Sequence, residues 1–167
     1  LTVGGVTVNA RLDRMDRLAA GGNVVIDYKT GEAGISDWLG DRPDEPQLPL
    51  YATTRGEKVA AVAYAQLKVG KLGFLGIGRE DGLLPNVKPI TGHTRVRLAS
   101  LYKSWDELLG GWKYELDVLG AGFAAGDALV DPKKQNTCQH CGLHALCRIN
   151  ERREGLGPGD EDEGADE

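Results

Sequence analysis

Asp27 and Lys29 stand two residues apart at the end of an apolar run, within the stretch GGNVVIDYKTG (residues 21–31). Val24, Val25 and Ile26 suit a sheet interior, and Gly31 then breaks the strand. Side chains two apart on a strand point to the same face, so the carboxylate and the ammonium share a surface. A third group joins them through a hairpin. With the turn in LAAGGN (18–23) centred on Ala20, facing residues have numbers that sum to 40, and Asp13 falls opposite Asp27. Directly opposed residues share a face, with Cβ atoms roughly 4.5–5.5 Å apart. Asp16 has the opposite parity and points away. Slipping the register by one separates Asp13 from the other two. That slip also takes the apolar set Val6, Val8, Ala10 and Leu12 off its partner face of Val24 and Ile26, so the in-register pairing is expected.

Two carboxylates about 5 Å apart repel each other, and in a half-buried place one tends to protonate. A divalent cation removes that cost, and hard oxygen ligands suit Mg²⁺ or Mn²⁺. Two side chains, one backbone carbonyl and solvent would fill the shell of an ion that prefers to keep waters. Lys29 beside it would orient a metal-bound water and favour its deprotonated form, the assembly needed for phosphodiester hydrolysis. The other reading of these residues is an Asp27–Lys29 ion pair at a strand end, with Asp13 solvated. Gln47 and Tyr51, at i and i+4, share a helix face and offer an amide and a phenol to a phosphate or ligand carboxylate.

The elements that must position these groups follow from the patterning. Residues 3–13 alternate apolar and polar, predicting one half-buried strand, and residues 23–29 make the next. Residues 30–46 form a Gly/Pro/Asp-rich loop long enough to suggest function. QLPLYATTR (47–55) reads as a short helix with its proline in the first turn. Two more strands are expected over 58–69 and 72–78. From Thr94 to Phe123 the spacing is helical, with Leu98, Leu101, Trp105, Leu108 and Trp112 forming a core-facing stripe. The expected class is α/β, a mixed central sheet of about four or five strands flanked by helices.

Near the C-terminus, NTCQHCGLHALCRI places Cys138, Cys141 and Cys147 in a C-x2-C-x5-C run. Three is an odd number, and the clustering argues for a soft metal in a reducing compartment, hence a cytoplasmic protein, rather than a disulfide framework. Zinc would find a complete set in the three thiolates with His144 or His140. A [4Fe–4S] cluster needs a fourth cysteine, which this chain lacks. By spacing alone zinc is favoured.

The combination ARLDRMDRL, VVIDYKTG and QLPLY resembles the PD-(D/E)XK nuclease superfamily, in particular its RecB/AddB-type exonuclease domains. The likeness covers residues 6–55, with Ala10 where a glycine is common. It implies a restriction-endonuclease-like core and Mg²⁺ (or Mn²⁺) bound by Asp13, Asp27 and the Tyr28 carbonyl. Lys29 would be the catalytic lysine, with Gln47 and Tyr51 supporting the site and the substrate phosphate. The resemblance also turns the cysteine reading towards a structural [4Fe–4S] cluster on Cys138, Cys141 and Cys147, with a fourth ligand before the core. The implied function is the nuclease domain of a DNA repair or recombination exonuclease, working with a helicase-like partner or fused region. The rivals are an inactive nuclease-like DNA-binding or interaction scaffold, and a zinc-stapled interaction module.

The totals agree with this reading. The 167 residues, 41% hydrophobic and 27% charged, suit a domain with a real core, expected over 1–150 with a Cys-rich metal segment at 136–149. No apolar run approaches the roughly 18–20 residues of a membrane span. The opening LTVGGVTVNA, without Met or signal peptide, reads as a cut through a longer protein. The net charge of −5 is misleading, because DEDEGADE (160–167) carries six acids and no base. Residues 155–167 are expected to be a disordered acidic tail.

Overall fold

The computed structural model describes residues 1–148, apart from Ala20, residues 55–57, Arg95, Arg97 and His140. The Ala20 turn centre, His140 and the acidic tail expected over 155–167 therefore lie outside the described residues. Leu1–Asp127 forms one compact unit, and a second begins at Ala128.

The first unit is built on a five-stranded mixed sheet in the order β3-β4-β5-β6-β7. These strands are β3 (Arg14–Arg17), β4 (Asn23–Lys29), β5 (Val59–Lys68), β6 (Lys71–Gly78) and β7 (Val87–Lys88). β3 and β4 are antiparallel, β4 and β5 parallel, β5 and β6 antiparallel, and β6 and β7 parallel. The parallel pair β4 and β5 is joined by a long crossover, whereas residues 79–86 suffice to bring β7 alongside β6. The crossover consists of the loop from residue 30 and helix α1 (Gln47–Thr54). β5 is buried over Val59–Ala65, which explains its alanines: a central strand covered on both faces needs small apolar residues more than alternation.

Each face of the sheet has its own core. Val25, Val62, Tyr64 and Ile77 pack with Trp38, Leu48, Tyr51, Leu98, Trp105, Leu108 and Trp112 on the helix-covered face. Val24, Ile26, Ala61, Ala63, Ala65 and Val87 line the other. The three tryptophans form a chain of edge contacts, Trp38 to Trp112 and Trp112 to Trp105, each with centroids 6.2 Å apart.

Two expectations are corrected. Residues 3–13 are not one strand. They hold a separate hairpin of β1 (Thr2–Val3) and β2 (Val6–Thr7), and β3 starts only at Arg14. Gly4 and Gly5 cause the break, with φ of 51° and 84°. Gly4 also lies so close to helix α3 (Trp105–Ala124) that a Cβ there would meet the Asp117 carbonyl oxygen. The helical stretch from Thr94 to Phe123 is likewise two helices, α2 (Leu98–Leu101) and α3. The Ser104 side chain accepts from the Glu107 N–H at 3.1 Å, and Glu107 accepts from the Lys103 N–H at 2.7 Å. This cap starts a new helix where periodicity suggested continuation.

Candidate active site

The hairpin register is the expected one. Arg14 pairs with Ile26, Met15 with Val25 and Asp16 with Val24, so each pair sums to 40. Asp13 lies one residue before β3, and its Oδ2 accepts a hydrogen bond from the Tyr28 backbone N–H at 3.1 Å. A carboxylate thus stands where a further rung of the ladder would be. Met15 and Val25 belong to the helix-covered core, so Asp13, Asp27 and Lys29 share that face by parity. Asp16 falls on the opposite face, paired with Arg14 at 2.8 Å, and Arg14 also donates to the Tyr28 hydroxyl at 3.3 Å.

Asp27 is the one buried charged side chain among the described residues, 5% exposed. Its Oδ2 has no hydrogen-bond partner. Lys29 Nζ lies 3.4 Å from that oxygen, a charge contact too long and poorly aligned to hydrogen-bond well. Burial pushes the Asp27 pKa up, against the Lys29 charge, and the charges of Asp13 and Glu45 add to the rise. Burial alone would push the Lys29 pKa down. The hydrogen bond to Glu45 and the Asp27 charge outweigh it, holding Lys29 above its usual value and so an ammonium at neutral pH.

Two further groups hold Lys29. Glu45 Oε2 accepts from Nζ at 2.9 Å, and the Tyr64 ring lies beneath, 5.4 Å from Nζ to its centroid. Tyr64 is opposite Asp27 in the parallel register, and its hydroxyl accepts from Trp38 Nε1. Glu45 reaches the site because its N–H donates to the Asp37 carbonyl at 2.9 Å, folding the long loop back. Sequence reasoning missed Glu45, Tyr64 and Trp38. The only signal for Glu45 was an acid two residues before Gln47 in a loop long enough to be functional.

Gln47 and Tyr51 take different places. Gln47 Nε2 donates to the Arg11 carbonyl at 3.3 Å, tying α1 to the segment that leads into Asp13. Tyr51 is core, 1% exposed, with its hydroxyl unpartnered.

The sequence matches the PD-(D/E)XK nuclease superfamily over residues 1–148. The chain belongs to that superfamily. The five-stranded mixed sheet flanked by helices is consistent with its restriction-endonuclease-like fold. Comparison with curated proteins and comparison with solved structures each return no match. PD-(D/E)XK nucleases typically use divalent metals, and the donors here fit one. Asp27 Oδ2 is a buried carboxylate oxygen lacking a hydrogen bond, and Asp13 supplies a second hard carboxylate on the same face.

In the second unit Cys138, Cys141 and Cys147 are free thiols, Cys141 exposed and the others half-buried. Cys138 closes a 3₁₀ turn (Gln135–Cys138), and Cys147 ends the single turn α4 (His144–Cys147). The Cys138 carbonyl gathers the loop, accepting from the Cys141 N–H at 3.1 Å and lying 2.7 Å from His144 Nε2. A carbonyl can only accept, so Nε2 carries the proton and Nδ1 is the nitrogen left for a metal. Among the described residues no group of three or more His, Cys, Asp or Glu side chains is arranged to hold a metal ion.

Proposed function

We propose that this domain is a Mg²⁺-dependent (or Mn²⁺-dependent) deoxyribonuclease, the exonuclease module of a cytoplasmic DNA repair or recombination enzyme that works with a helicase-like partner. The observation that carries the reading is the Asp13 carboxylate seated on the Tyr28 N–H, on the face of buried Asp27 and of Lys29. Membership of the nuclease superfamily implies DNA as the substrate class.

Asp13, Asp27 and the Tyr28 carbonyl would hold the divalent cation. When bound, the cation supplies Lewis-acid stabilisation of negative charge on the phosphoryl oxygens. Lys29 complements it from the protein side. Its raised pKa makes it a fixed ammonium donor towards the developing negative charge, and Tyr64 beneath and Glu45 beside it keep it aimed. Gln47 keeps the Asp13 segment against α1, and Tyr51 supports the site from within the core.

The test is cleavage of end-labelled linear DNA across Mg²⁺ and Mn²⁺ concentrations by wild type and Lys29→Ala. Cleavage by wild type alone is expected. Equal cleavage by Lys29→Ala would refute the assignment, and a wild type inert with both metals would make the domain a DNA-binding scaffold.

Cys138, Cys141 and Cys147 are proposed as three ligands of a structural [4Fe–4S] cluster in the intact protein. Iron and sulfide analysis of anaerobically prepared protein should find both, with broad visible absorbance lost on Cys141→Ala. Stoichiometric zinc without iron would assign the segment to a Cys₃His site closed through His144 or His140.

A further inference from the structure

The β5–β6 hairpin runs past the end of β4. Lys29 closes β4 opposite Gln66, but β5 continues to Lys68 and returns at Lys71, its register partner. By parity Gln66, Lys68 and Lys71 lie on the face that carries Asp27 and Lys29. The turn residue Val69 is 98% exposed, so the tip stands open to solvent.

Two lysines facing each other across a strand pair repel unless an anion lies between them. Here the anion is Glu32, three residues after Lys29. Its Oε1 is 2.8 Å from Lys68 Nζ and 3.6 Å from Lys71 Nζ. With Gly31, Ala33 and Gln66 these residues enclose a notch of about 40 Å³. The Glu32 side chain is 77% exposed, and ion pairs so exposed contribute little to stability, so the carboxylate is readily displaced. Gln66 to Lys68 spans roughly 7 Å of strand. Successive phosphates of one DNA strand advance about 3.4 Å along the helix axis. The notch therefore lies within about two nucleotides of a phosphate seated at Lys29.

We propose that Lys68 and Lys71 form a phosphate subsite for the nucleic-acid strand being cut, next to the scissile position, with Glu32 as the anion that a backbone phosphate replaces. The inference rests on the nuclease reading of Asp13, Asp27 and Lys29. The ligand is the phosphodiester of a nucleic-acid strand rather than free phosphate.

The test is fluorescence anisotropy of the full chain with labelled single-stranded and duplex oligonucleotides, without divalent cation, from 50 to 200 mM salt. Lys68→Ala/Lys71→Ala is expected to weaken binding about tenfold at the lowest salt. It should also make the slope of log Kd against log salt shallower by about 1 to 2. Glu32→Gln should tighten binding several-fold, and Lys113→Ala, on α3, should leave it unchanged. Unaltered thermal unfolding of each variant separates lost contacts from lost fold. Inorganic phosphate should compete no better than chloride at matched ionic strength; selective competition through Lys68 and Lys71 would instead make the notch a free-phosphate site and overturn the proposal. Wild-type affinity and slope in the double variant, with wild-type protein still cutting DNA in Mg²⁺, would overturn the subsite alone. A wild type that neither binds nor cuts DNA would overturn both readings.

Discussion

Lys29 Nζ donates to Glu45 Oε2 at 2.9 Å, closer than its approach of 3.4 Å to Asp27 Oδ2. The lysine proposed for catalysis is thus steadied mainly by a residue from the long loop. If Glu45 acts by positioning, Glu45→Gln should keep most activity because it still accepts the hydrogen bond. Glu45→Ala should lose roughly 10-fold to 100-fold, the range for a hydrogen bond to a charged group. The loss should fall on kcat rather than KM. Steady-state cleavage of a fluorescent DNA substrate measures the split, and wild-type rates in both variants would remove Glu45 from the site.

Asp27→Asn should abolish cleavage while raising thermal stability. The Asp27 pKa is raised by burial, so its folded form binds protons more readily than the unfolded chain. Its contribution to stability is therefore full below the unfolded value near 3.8 and is lost as pH rises through the folded value. The Tm advantage of Asp27→Asn should accordingly be small at pH 3.5 and widen towards pH 7. Calorimetry at the two pH values checks this, and an advantage that shrinks as pH rises would contradict the burial argument.

Asp13 has a structural and a chemical part, and two substitutions separate them. Asp13→Asn keeps an oxygen for the Tyr28 N–H and should fold like wild type, yet cut DNA at least 100-fold more slowly for want of charge. Asp13→Ala should lose the same activity and about 1 kcal/mol of stability besides. Denaturant unfolding beside cleavage rates decides it.

The Tyr51 hydroxyl is buried without a partner, an arrangement that costs about 1–3 kcal/mol. Tyr51→Phe should therefore raise Tm, and if the hydroxyl serves the site, cleavage should fall about tenfold. A more stable variant with full activity would make Tyr51 a packing residue only.

Local patterning was enough for the hairpin register. Facing residues that sum to 40, with side chains alternating along each strand, carried Asp13 to the face of Asp27 and Asp16 away, although both faces of β4 are apolar and Val6 to Leu12 take no part in the ladder. Apolar runs between turns marked β5 and β6, and helical spacing marked Trp105, Leu108 and Trp112, which became the core side of α3, while Leu101 of the same expected stripe is exposed. Patterning failed where a turn or cap overrides period: at Gly4–Gly5, which split residues 3–13, and at Ser104, which split the long helix. The surroundings of Lys29 were beyond it for another reason. Glu45 arrives by a loop folded back through the Glu45–Asp37 hydrogen bond, and Tyr64 by a parallel crossover. Neither leaves a periodic trace, because loop closure and parallel pairing join residues far apart in the chain. The residue types and their parity were written in the sequence; what surrounds Lys29, and so its charge state and aim, was decided only when the chain closed on itself.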